Sequence, residues 1–164
     1  MADATNAATK SARDLVQELT ARDWQVRHSA HQALVAMGLS ATPPLIEALR
    51  SGDEEVRWEA VRVLEQTRDP ASKDALIQAL EDDNPSVRWA AAQGLVGIGP
   101  SVLVPLLRRL LVHSESPWLQ EGAHHVLRSM VSPEVTPVLK ALEGRDVAIA
   151  VLPPVNQALA SLEK

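Results

Sequence analysis

Apolar and polar residues alternate along this chain with a helical rhythm that restarts every 30 to 32 residues. Aligning the chain on itself puts Val26, Val56 and Val87 in one column, which the weaker Leu119 and Ile149 continue. From each anchor, small or apolar residues recur at plus four, plus seven and plus eight, as in Val56, Ala60, Val63 and Leu64. Such spacing marks one face of a helix. Three residues before the anchors stand Asp23, Asp53, Asn84, Ser116 and Asp146. All five side chains can accept a bond from an unpaired amide of a first helical turn. Pro85 and Pro117 follow at the first helical position, where a missing N–H does no harm. Gly38 and Gly99, twelve residues past their anchors, predict left-handed C-caps; the second repeat carries "RDP" there.

Another helix precedes each of these. Leu15 and Leu19, Leu45 and Leu49, Leu76 and Leu80, Leu106 and Leu110, and Val138 and Leu142 mark it, with Pro44, Pro105 and Pro137 in one column of its first turn. Each unit is thus a hairpin of two helices of roughly ten residues, too short to be stable alone. Stacking must supply the stability. The pattern predicts an all-α fold of ten helices in about five hairpins, at residues 11–38, 39–69, 70–99, 100–131 and 132–164, forming one domain after a flexible segment at residues 1–10. The last unit is degenerate: within "VAIAVLPPV", Val147 to Val155, paired prolines are expected to interrupt the second helix.

Composition sharpens this picture. Hydrophobic residues make up 46% of the 164, enough for a sizeable core, and with no Phe or Tyr that core must be Leu, Val, Ile and Ala. No cysteine means no disulfide framework, thiol nucleophile or thiolate zinc site. A net charge of −5 argues against a general nucleic-acid binder. The opening "MADATNAATK" lacks the basic start and apolar run of a secretory signal, and no run approaches the roughly 18 apolar residues of a membrane helix. A cytoplasmic location without membrane contact is expected.

The stretches "PPLIEALRSGDEEVRWEAVRVL" and "ALIQALEDDNPSVRWAAAQGLVGIGPSVLVPLL" resemble the bacterial HEAT-like repeats first described in phycobilisome bilin lyases. The resemblance is close over residues 11–131 and loose over 132–164. It implies a right-handed α-solenoid whose second helices line the concave face, serving as a non-enzymatic scaffold for an unidentified protein or peptide. The same resemblance leaves a bilin lyase subunit as the alternative, and a HEAT-like nucleic-acid binder as a third reading. It also implies a polar ladder of Arg27, Arg57 and Arg88 beside Asp23, Asp53 and Asp83. Gln120 and Ala150 hold the next two rungs, so the ladder should stop after the third repeat.

At 100° per residue the buried stripe centres on the plus-four residue, and the plus-two residue faces out. That column reads His28, Trp58, Trp89 and Glu121, flanked by His31, Val61, Ala92 and His124 at plus five and by Val35, Glu65, Val96 and Arg128 at plus nine. Trp58, Val61, Trp89, Ala92 and Val96 are the candidate apolar binding patch, with Arg62, Glu65 and Gln93 as its polar rim. Alternatively, the two tryptophans seal the seam between repeats. Trp24 and Trp118, near helix starts, are expected to pack on turns. Val147 to Val155 is a candidate self-association surface.

No catalytic constellation emerges. His28, His31 and His124 do not form a metal set, and His124 and His125 point about 100° apart. No "HE" dipeptide offers the His-Glu pairs of a di-iron HEAT-repeat hydroxylase, and no glycine-rich phosphate loop or nucleophile elbow is present. Neither metal nor cofactor is expected.

Overall fold

The computed structural model describes residues 10–144 and 146–163, and among these every regular element is helical. Four hairpins follow one another: α1 (Ala12–Glu18) with α2 (Trp24–Met37), α3 (Thr42–Ala48) with α4 (Glu54–Thr67), α5 (Lys73–Ala79) with α6 (Pro85–Ile98), and α7 (Leu103–Val112) with α8 (Pro117–Arg128). Three short segments end the chain: α9 (Thr136–Leu142), α10 (Val147–Ala150) and α11 (Leu152–Leu162). The segment expected to be flexible lies outside the described residues except for Lys10, which pairs with Glu18 at 2.6 Å.

The two helices of a hairpin are unequal. Second helices run 12 to 14 residues, whereas α1, α3 and α5 have 7. Tight 3-10 turns at Gly38–Ala41, Pro70–Ser72 and Pro100–Val102 take up the residues that would begin the next first helix. The expected N-caps form in four repeats: Asp23, Asp53, Asn84 and Ser116 accept from the amides of Gln25, Glu55, Ser86 and Leu119. At the other end Gly38 and Gly99 have φ of 56° and 88°, with ψ of −129° and −158°. They adopt a mirror-extended turn that favours glycine, not the expected left-handed helical cap. In the second repeat Arg68 itself takes the left-handed conformation (φ 51°, ψ 32°), and Asp69 then caps the following turn through the Ala71 amide.

Second helices α2, α4, α6 and α8 lie side by side in one layer, backed by the first helices. One core cluster runs from Ala12 to Leu159 and consists of leucine, valine, isoleucine and alanine. Leu19, Leu34, Leu45, Leu64, Leu76 and Leu95 are among its fully buried members. The seam between α4 and α6 is the tightest. A Cβ on Gly94 would stand 3.4 Å from the Glu65 Cα and 3.1 Å from a Leu76 methyl, so the missing side chain lets the α6 backbone lie on α4.

The fifth unit departs from the repeat. Asp146 has φ of 57° and caps nothing, and the expected anchor Ile149 is 76% exposed. Val151 and Val155 are fully buried instead. Pro153 and Pro154 sit in the first turn of α11, where they are tolerated, and the break falls ahead of them at Val151. The helix α11 lies along α7 and is tied to it by Arg108, which donates to Glu163 at 2.8 Å, while α9 lies along α8. The segment Val147 to Val155 therefore turns Val151 and Val155 inward, half-buries Val147 and Leu152, and leaves Ile149 exposed.

The seam makes a contrast measurable. Replacing Gly94 with Val should cost about 1–3 kcal/mol in urea unfolding, because the added methyls meet backbone. Gly97→Ala should instead be neutral or stabilise by up to about 1 kcal/mol, since its Cβ would meet the exposed Arg68 side chain, which can swing away.

Candidate functional site

The polar residue after each anchor secures the turn inside its own hairpin. An Nη1 of Arg27 donates to the Ala21 carbonyl at 2.6 Å, of Arg57 to Ser51 at 3.0 Å and of Arg88 to Asp82 at 2.8 Å. Each reaches back six residues, and Gln120 does the same to Ser114. The rungs are therefore backbone carbonyls, for which an amide donor suffices, and they continue into the fourth repeat. The carboxylates differ from expectation as well. Asp23 and Asp53 are committed to their caps, and Asp83 offers Arg88 its carbonyl. Among the described residues, the one ion pair in this column joins Arg57 to Asp82 of the next repeat, through bonds of 2.7 and 3.0 Å. Burial pushes the Asp82 carboxyl up, but the Arg57 fork and the Asn84 amide outweigh it and hold the group below the usual carboxylate range.

The outward apolar patch is not continuous. Val61 and Ala92 are buried, because plus five lies only about 100° from the stripe centre and faces the following second helix. Trp58 is half-buried against the core with the Arg62 guanidinium 5.6 Å over its ring, and Arg62 also reaches Glu59. Glu65 lies in the α4–α6 seam. Only Trp89 of the original pair stands clear, at 58% exposure.

Trp89 has a different companion. Between α6 and α8 runs an open groove of about 700 Å³, floored by Ala92 and Gly122, with Pro85, Trp89 and Val96 on one side and Trp118, Glu121 and Arg128 on the other. Trp118 is 42% exposed and its ring lies 4.6 Å under the Arg88 guanidinium. His125 stacks at a tilt on Trp89, 4.8 Å between centroids, and stands 3.2 Å from the Gln93 amide. His124 reaches Glu143 at 3.2 Å. The sequence reading assigned Trp118 to turn packing and placed His125 in no site, although the signal for this groove was present. Minus one, plus two and plus six share the flank of a second helix that faces its predecessor, and these positions hold Trp118, Glu121 and His125.

Residues 12–95 and residues 74–160 each match the sequence pattern of HEAT repeats. The chain belongs to the HEAT repeat family. No curated protein matches it.

A second groove of this HEAT array lies between α2 and α4, about 420 Å³ in volume and more polar. Trp24, 62% exposed, stacks on His28 there and does not pack on a turn. His31 sits 2.9 Å from the Gln66 amide and 3.6 Å from Glu59. Burial first, and the Arg62 charge second, hold its imidazole below the usual histidine value despite Glu59. Among the described residues no cluster of three or more His, Cys, Asp or Glu side chains is arranged to hold a metal ion, and no single helix is long and apolar enough to cross a membrane.

These two shifts, at partly buried groups, contribute to the acid response in different pH ranges. A depressed folded value means that the unfolded chain binds the proton first. The His31 contribution is thus full above the ordinary histidine range and declines as pH falls through it, whereas the Asp82 contribution declines below the ordinary carboxylate range. Melting temperature should fall in two steps on acidification. His31→Gln should remove the upper step. Asp82→Asn should weaken the lower one and cost about 2 kcal/mol at neutral pH.

Proposed function

We propose that this HEAT array is a non-enzymatic scaffold that captures a protein or peptide in the groove between α6 and α8. The supporting observation is the pair of exposed indoles, Trp89 and Trp118, facing each other across a cleft with a small-residue floor. Large apolar surface kept open in this way is the usual composition of an interaction hot spot. In this reading the solenoid is right-handed, the second helices form its concave side, and the protein works in the cytoplasm. Binding thus shifts one repeat beyond the column centred on Trp58 and Trp89, and Trp58 becomes a packing residue. A bilin would use the same ring faces, so tetrapyrrole handling is the rival reading of this groove.

Two variants separate these roles. Trp89→Ala with Trp118→Ala should leave circular dichroism unchanged and cost less than about 1 kcal/mol, the scale of the exposed Arg88 contact, while abolishing partner capture from host extract. Trp58→Ala should cost about 1–3 kcal/mol and retain capture. Capture that survives the double variant removes this groove from the function. A bilin-induced absorbance change lost in the double variant would favour the chromophore reading.

A further inference from the structure

Five charged or titratable side chains line the α6–α8 groove: Arg88, Glu121, His124, His125 and Arg128. Three are already engaged. Arg88 donates to the carbonyls of Asp82 and Asp83 and covers the Trp118 ring. His124 reaches Glu143, and His125 lies between Trp89 and Gln93. Glu121 and Arg128 are exposed and have no ion-pair or hydrogen-bond partner among the described residues. They stand seven residues apart on α8, which is two turns or about 10 Å along one face. Across the groove Trp89 and Val96 on α6 repeat that spacing. The α6 wall thus presents Trp89 and Val96 beside the engaged Arg88 and Gln93, and the α8 wall facing it carries an anion at one end and a cation at the other that are unpaired among the described residues.

We infer, resting on the reading that this groove captures polypeptide, that its occupant is a segment with an apolar side chain set between one basic and one acidic residue. The apolar group enters between Trp89 and Trp118. The basic residue lies at the Glu121 end and the acidic residue at the Arg128 end, about 10 Å apart, which is about seven residues in a helix or three in an extended strand. A segment entering in the opposite sense places like charges together at both ends. Charge complementarity of this kind contributes little affinity and sets direction and partner choice.

A selection from a random peptide library tests this with wild-type protein, with Trp89→Ala plus Trp118→Ala, and with the charge swap Glu121→Arg plus Arg128→Glu. The swap keeps the net charge and alters only exposed side chains, so circular dichroism should match wild type, with melting lowered slightly because both new charges oppose the α8 dipole. Wild type is expected to enrich peptides with a basic and an acidic residue in a fixed order around an apolar one, and the swapped protein the reverse order. Exchanging the two charges within a selected peptide should weaken wild-type binding by about two- to fivefold per pair, less at high salt, and the swapped protein should restore it. If wild type shows no charge order, or both proteins select one pool that is lost on the double tryptophan variant, the polarity is wrong while the groove stands. If the pool survives the loss of both tryptophans, or no pool emerges, the groove reading falls and the polarity with it.

Discussion

A seven-residue helix has two turns and cannot hold itself together in water, and α1, α3 and α5 are of this kind. Their stability comes from burying an apolar stripe against neighbours in the array, so the packing of one hairpin on the next is the interaction on which the rest of the structure depends. The rung beside each anchor serves that packing. By donating to a carbonyl six residues upstream, Arg27, Arg57, Arg88 and Gln120 tie the turn to the second helix within each of the first four hairpins.

Most of the fold was legible in the sequence because its signals are local and repeated. The cap column and the helical period place the first eight helices and most of their buried residues, and the HEAT resemblance of residues 11–131 pointed to the family that the chain proves to join. The fifth unit was misread for a physical reason. The helix α11 lies along α7, so burial there follows a tertiary contact and not the repeat register, and Ile149 ends outside while Val151 and Val155 go in.

The candidate site was legible only in part. A wheel drawn on one helix separates core from surface, but it does not say how closely two second helices approach. That distance depends on single residues. Gly94 lets α6 close on α4 at Glu65, and Val61 is buried on that side of α4, whereas the α6–α8 pair stays open above Ala92 and Gly122 with Trp89 and Trp118 both lining the groove. Trp58 and Trp89 occupy equivalent columns, yet one packs and the other stands free.

The closed α4–α6 seam has a consequence for stoichiometry. It separates two clefts of the second-helix layer that share no lining residue, one between α6 and α8 with two tryptophans and one between α2 and α4 with one, each carrying two histidines and three charged side chains. The face is accordingly not a continuous track along which a chain could slide. On the proposed reading, an occupant of the α6–α8 cleft leaves the lining of the α2–α4 cleft uncovered.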